Sequence, residues 1–296
     1  MQISKTYCLM MLTALLVMPL AVNAQTSNVA MHFAEYPMGA VESGLGGIEL
    51  IEEASFVSAG YMTYSMSDSP TSYFSVRSKY ELTERMRLSG YAVYGICEEY
   101  ETVNQSGIPT GTFSPGQLIV CGGFEYGFTD YLNAGVKVKY MKETLSQQAS
   151  YSAAASDIYA IGDFLLSMQS SVSVGLKISN LGTKVRSVSG DKFSLPSAIK
   201  ANAAYSFDFY KGNIKLVAES DYYFHGCIAA GAGAAYTYND MLSVRAGYHC
   251  GGQSVVPSFA SAGLGLKFWG AKIDLAYIFA NEIMNNTLAV SLGYSF

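Results

Sequence analysis

Charge is scarce in this sequence. Asp, Glu, Lys and Arg make up only 14% of its 296 residues, against about 25% in an ordinary soluble domain. The few charges lean acidic, with 18 basic against 23 acidic side chains, which excludes the basic footprint of a nucleic-acid binder. Long apolar runs are missing as well. After Ala24 no stretch approaches the roughly 18 apolar residues that a helical membrane span requires. Histidine is limited to His32, His225 and His249, too few and too scattered for paired metal-ligand spacing.

What the N-terminus does contain is an export signal. Lys5 precedes an apolar stretch from Leu9 to Leu20, and Val22-Asn23-Ala24 offers small residues for cleavage before Gln25. Such a leader is too short and wrongly flanked to anchor the chain. Its cysteine, Cys8, lies far ahead of the cleavage point, which argues against a lipid-anchored start. Loss of Lys5 with residues 1–24 leaves 17 basic side chains and a net charge of −6. An exported chain without a helical span is either soluble or a barrel in the outer membrane.

Tyrosine at 23 and glycine at 29 favour the barrel, and the alternation of residues is its main signal. Leu288, Val290, Leu292, Tyr294 and Phe296 share one face of the last segment, opposite Ala289, Ser291, Gly293 and Ser295. Ile273, Leu275, Tyr277 and Phe279 oppose Lys272, Asp274 and Ala276. The same holds for Leu242–Tyr248, Leu132–Tyr140 and Phe74–Tyr80. A soluble sandwich also alternates, but here aromatic residues gather at segment ends and charges fall mid-segment on the opposite face. That is the pattern of an apolar outer band, aromatic girdles and a polar lumen.

About fourteen segments follow, beginning near Ala54, Ser72, Arg87, Leu118, Leu132, Asp157, Ser171, Ile199, Ile214, Ile228, Leu242, Phe259, Ala271 and Thr287. The fold class expected is all-β: a transmembrane antiparallel β-barrel spanning 54–296. Tight turns are expected at Thr83-Glu84, Thr129-Asp130, Tyr210 to Asn213, Asn239-Asp240 and Trp269-Gly270. Longer loops are expected at Glu98–Gln117, Thr144–Ser156, Asn180–Ala198 and Gly251–Ser258. Short turns on the periplasmic rim and longer loops outside is the asymmetry of such barrels. A weak repeat surrounds three turns, at Tyr80–Met86, Tyr126–Leu132 and Tyr236–Leu242, and reads as hairpin chemistry.

Residues 25–53 do not alternate. Gly39, Gly44, Gly46 and Gly47 are interspersed with Glu35, Glu42, Glu49, Glu52 and Glu53. A stretch this polar cannot face lipid, so it is expected inside the lumen or across its periplasmic mouth as a plug.

Parity places Arg77, Lys79, Glu125, Lys137, Lys139, Glu219, Asp221, Arg245 and Asp274 on the lumen face. Glu81, Arg87, Asp163, Lys177, Lys200, Asp208, Lys215, Lys267 and Lys272 join them. Their signs are mixed, which favours pairing across the lumen and to the plug over a selective one-sign ring. Cys97, Cys121, Cys227 and Cys250 are even in number in an oxidising compartment. Cys97 and Cys121 flank one loop with matching parity, so a disulfide between them is expected; Cys227 with Cys250 is weaker because their parities differ. His225 with Cys227 and His249 with Cys250 read as rim residues rather than a metal site. Asp221 with His225, and Ser254 with His249, lack the nucleophile–base geometry that catalysis needs. No enzyme, metal or cofactor is expected.

Several stretches resemble the PorV/PorQ family, outer-membrane barrels of Bacteroidetes that are similar in architecture to FadL fatty-acid transporters. Thr112-Phe113-Ser114-Pro115-Gly116 with Phe128–Tyr140 is similar to the family's central region. Lys177–Gly182 followed by Leu195-Pro196, and the closing Leu242–Tyr248, Gly263–Lys267, Asp274–Tyr277 and Ser291–Phe296, resemble its later motifs. Gly39-Ala40-Val41 with Gly44–Gly47 resembles its glycine-rich opening. The resemblance implies an outer-membrane location and a role in type IX secretion or surface attachment of cargo, with secretion components or cargo as partners. The alternative is a FadL-like channel for small hydrophobic solutes, with such a solute as ligand. Outer-membrane lipid is a partner in either case.

Overall fold

The alternating segments pair into one closed sheet. The computed structural model describes residues 29–49, 55–66, 69–104, 106–187, 190–251, 255–280 and 284–296. The leader, the first and last residues of the expected plug, and Ser254 lie outside them. In chain order the strands are β1 (Phe56–Met66), β2 (Ser69–Thr83), β3 (Met86–Cys97), β4 (Tyr100–Val103), β5 (Pro109–Phe113), β6 (Gly116–Thr129), β7 (Leu132–Thr144), β8 (Ser150–Ser167) and β9 (Ser170–Gly182). They continue as β10 (Val185–Arg186), β11 (Lys192–Phe193), β12 (Ala198–Phe209), β13 (Gly212–Tyr223), β14 (Cys227–Tyr238), β15 (Leu242–Cys250), β16 (Phe259–Phe268), β17 (Ala271–Ala280) and β18 (Asn285–Ser295).

Fourteen of these form a closed barrel in the order β1-β18-β17-β16-β15-β14-β13-β12-β9-β8-β7-β6-β3-β2. Each barrel strand lies antiparallel to its neighbours. The closing pair sets Phe56 opposite Ser295 and Val57 opposite Tyr294, and Phe296 N donates to Ser55 O at 3.1 Å. Closure removes the unpaired edges that an open sheet would expose to lipid. The hairpins β4–β5 and β10–β11 stand on the loop rim.

Two kinds of turn chemistry build the opposite rim. Asn239 and Asp240 both have φ 54°, and Trp269 and Gly270 have φ 49° and 84°, the paired left-handed conformations of type I′ hairpins. Tyr210 also has a positive φ, 36°, and at three other turns a hydroxyl accepts from a turn amide. Thr83 Oγ1 accepts from Met86 N at 3.0 Å, Thr129 Oγ1 from Tyr131 N at 3.4 Å, and Ser167 Oγ from Gln169 N at 3.2 Å. Each of these three hairpins carries a register shift beside the turn. The Met168-Gln169 turn was not expected. β8 begins at Ser150 rather than near Asp157, so the loop there shrinks to 145–149.

The outer face is apolar and the inner face mixed. Val138, Leu176, Leu264 and Leu292 are more than half exposed on the outside, where lipid rather than water is the solvent. Aromatic pairs band both ends of this face. Tyr80–Phe296, Tyr131–Phe164 and Phe268–Trp269 lie near the turn rim, with centroids 6.2, 6.0 and 4.2 Å apart. Tyr61–Phe74 and Tyr277–Phe279 lie toward the loop rim at 5.2 and 4.7 Å. An apolar band bounded by aromatic girdles is the outer surface of a membrane barrel.

Candidate functional site: the plugged lumen

Residues 29–49 lie inside the barrel and cross its width. Val29 bridges to Ser194 on the loop side. A 3-10 turn (His32–Glu35) follows, then the short helix α1 (Ala40–Gly44). Gly39 is its N-cap without a side-chain cap bond, so tertiary contacts hold the helix rather than its own turns. The barrel wall supplies them. Tyr64 OH donates to Pro37 O at 2.7 Å, Ser75 Oγ to Met38 O at 3.2 Å, and Ala40 N to Ser291 Oγ at 3.1 Å.

The lumen lining has an apolar part and an ionic part. On the loop side Met31, Phe33 and Met38 of the plug pack with Met62, Tyr64, Met141, Phe259 and Ile278 of the wall in one buried apolar cluster. Tyr36 lies against Tyr64 with ring centroids 5.3 Å apart, and burial, with Glu143 nearby, pushes its phenol up to about 12.

Beside this cluster the lining becomes ionic. Every carboxylate that the described plug contributes meets a wall cation. Glu35 Oε2 lies 2.7 Å from Lys200 Nζ, Glu42 pairs with Arg77, and Glu49 bridges Lys137 and Lys177 at 2.9 Å each. The Lys137 and Lys177 ammoniums hold the Glu49 carboxyl well below the usual carboxylate range.

Wall residues complete the network. Asp157 lies 2.7 Å from Lys139 Nζ and 3.7 Å from Lys177 Nζ. Lys139 donates to Asn180 Oδ1 at 2.6 Å, and Asn180 Nδ2 donates to Glu35 and to Pro196 O. Glu125 receives Arg87 at 2.9 Å and Lys79 at 3.7 Å. Asp221 meets Lys200 at 3.1 Å, and Asp274 meets Arg245 at 2.7 Å. Glu219 lines the cavity with Asn202, its partner in the β12–β13 register. Alternation alone places these inward side chains. The partners in the plug, and Asp157 on β8, are what sequence parity left unassigned, although Asp157 shares the parity of Asp163.

The expected Cys97–Cys121 disulfide is not formed, and all four described cysteines are free thiols. Cys121 pairs in register with Tyr91, so Cys97 lies six positions further along β3. At about 3.3 Å per residue that is roughly 20 Å, far beyond the roughly 7 Å that a disulfide tolerates. Parity matched the faces but not the depths. Cys250 pairs with Ala230, three positions from Cys227, which is again too far. Among the described residues no group of three metal-type side chains assembles. His249 stacks on Phe259 at 5.2 Å. His225 lies against Tyr223 at 5.4 Å, and burial together with nearby His32 holds it below its ordinary value.

Between plug and wall is a cavity of about 240 Å³. Tyr36, Met38 and Ile119 form part of its lining, with Lys79, Arg87 and Glu125 among the charges that complete it. Its wall residues come from β1 to β13; none of those lining it lies on β14–β18.

The sequence matches no protein-family model and no curated protein. Solved structures share the fold. The toluene transporter TbuX of Ralstonia pickettii matches with a TM-score of 0.55 at 11% identity, over 89% of this chain and 99% of that one. A deltaS2 mutant of the monoaromatic hydrocarbon channel TodX gives 0.55 at 14%, over 88% and 99%. The monoaromatic hydrocarbon channel CymD gives 0.51 at 12%, over 88% and 97%. With its apolar outer band, aromatic girdles and closed sheet, the chain is a fourteen-stranded outer-membrane β-barrel that shares its fold with these channels.

Proposed function

We propose that this barrel is a channel for small hydrophobic solutes, with single-ring hydrocarbons as the size class. The observation that carries the reading is the apolar cluster in the loop-side half of the lumen. An aqueous porin lines its channel with polar side chains; here Met31, Met38, Met62, Met141 and Met284 form the buried cluster that a solute would part. Methionine is unbranched and flexible, so such a lining re-forms around an apolar guest. The adjoining cavity of about 240 Å³ has room for a single ring, with Tyr36, Met38 and Ile119 as its apolar side and charged side chains over much of the rest. The shared fold of TbuX, TodX and CymD supports the same class. The role involves no covalent chemistry. Uptake of radiolabelled toluene by cells with and without the gene tests it: deletion is expected to slow uptake, and unchanged uptake would contradict the reading.

One observation favours a second reading, the PorV/PorQ-type role in type IX secretion or surface attachment. The described plug fills the loop-side lumen, and the β4–β5 and β10–β11 hairpins stand outside it, which suits docking of cargo. Under that reading deletion leaves toluene uptake intact and releases cargo from the cell surface.

A further inference from the structure

The plug touches the wall in two different ways on two different sides. On β14–β16 the contact is backbone against backbone. Gly44 Cα and Gly263 are so close that a Cβ on Gly44 would lie 3.2 Å from Gly263 Cα. A Cβ on Gly233 would lie 2.8 Å from Leu45 O, and one on Gly247 would overlap Gly46. Gly46 and Gly47 have φ 74° and 81°, the left-handed region that glycine adopts without steric cost. Gly46 N donates to Ser261 Oγ at 3.1 Å. Gly46 and Gly247 meet so closely that neither can take a side chain without separating, whereas a Cβ on Gly44 needs Gly263 to yield only slightly.

On the opposite wall the ion pairs of residues 40–49 are made by long side chains, while Tyr64 and Ser75 hold Pro37 and Met38 ahead of them. Glu42 reaches Arg77 on β2, and Glu49 reaches Lys137 on β7 and Lys177 on β9. This is also the side on which the cavity opens. Ion pairs on flexible stems separate and re-form without repacking a backbone, whereas a glycine seam is lost as a unit.

We propose that Gly44–Gly47 is the fixed end of the plug, seated permanently on Gly233, Gly247 and Gly263. The passage opens on the opposite wall, where Glu42 and Glu49 act as releasable latches on Arg77, Lys137 and Lys177. The device stands apart from the solute reading above, because ionic current through the barrel reports it whatever the solute.

The test is current in planar bilayers. A Glu42→Gln, Glu49→Gln variant is expected to leak ions where the parent is closed. A Gly44→Cys, Ala276→Cys pair then fixes the seam, since the two Cβ positions lie 3.6 Å apart, within disulfide range. Oxidising that pair in the latch variant is expected to leave the leak unchanged. If oxidation abolishes the leak and reductant restores it, the plug must leave the seam to open, and the proposal is overturned. Gly247→Val is expected to unseat the plug and leak by itself, with Gly122→Val as control, because a Cβ on Gly122 meets nothing within 4 Å. A Gly247→Val barrel that is folded yet closed would also overturn it; should that variant fail to fold, the disulfide arm still decides.

Discussion

Lys177 and Lys200 face each other directly in the β9–β12 register. Like charges at such a position are destabilising, and four carboxylates offset the repulsion. Glu49 and Asp157 flank Lys177, while Glu35 and Asp221 flank Lys200. Two of the four come from the plug. The wall therefore carries an excess of positive charge that only the N-terminal segment completes, so the folding of plug and barrel is coupled.

Glu35→Gln removes one of those carboxylates where its side chain is 4% exposed. Breaking a buried pair costs about 3–5 kcal/mol. Amide exchange in residues 31–40 is expected to rise by roughly two to three and a half orders of magnitude, at about 1.4 kcal/mol per decade. Exchange equal to the parent's would show that Glu35 does not hold the plug.

The Glu49 latch has a defined pH dependence. Its folded-state pKa is depressed by Lys137 and Lys177, so its contribution is full above the ordinary carboxylate value of about 4.3. That contribution is lost as pH falls through the depressed value, where the folded carboxylate finally takes a proton. Bilayer current is expected to stay at baseline down to the ordinary carboxylate range and to rise only below it. A rise between pH 6 and 8, near the histidine value of about 6.5, would point away from Glu49.

The outer and inner faces should respond differently to charge. Leu264 is mid-strand on the lipid face of β16 and 53% exposed there. Leu264→Arg is expected to destabilise the barrel by about 2–4 kcal/mol, read from urea unfolding in vesicles. Lys267→Arg, on the lumen face of the same strand, should stay within about 0.5 kcal/mol. A Leu264→Arg barrel as stable as the parent would contradict the lipid-facing assignment of Leu264.

Thiol counting tests the cysteine geometry. Unfolded, non-reduced protein is expected to label at Cys97, Cys121, Cys227 and Cys250 alike. Two unreactive thiols that appear only after reduction would restore a disulfide and contradict the depths found for Cys97 and Cys121.

The barrel was largely legible in the sequence because its signal is local. Leu242 to Tyr248 alternate within one strand, and Asn239-Asp240 or Trp269-Gly270 announce the turns by their own conformational preferences. The Met168-Gln169 turn escaped notice because Ser167 supplies only a hydroxyl, which resembles any strand serine. The lumen was legible only by face. Parity aims Lys137 and Lys177 inward, but their partner Glu49 is 88 and 128 positions away, and no local pattern encodes such a pairing. The same limit explains Cys97 and Cys121, where face was read correctly and depth was not. The glycines at 44, 46 and 47 stood out, yet their counterparts Gly233, Gly247 and Gly263 look like ordinary small inward residues until the plug is seen against them.

Passage of small hydrophobic solutes through the lumen, with exclusion of polar ones, is tested most directly with the purified full chain in liposomes. Radiolabelled toluene and glucose would be presented together and their entry followed over time. Toluene is expected to enter faster than in protein-free liposomes, with glucose excluded. Equal toluene entry with and without the protein, or free passage of glucose, would contradict a hydrophobic-solute channel.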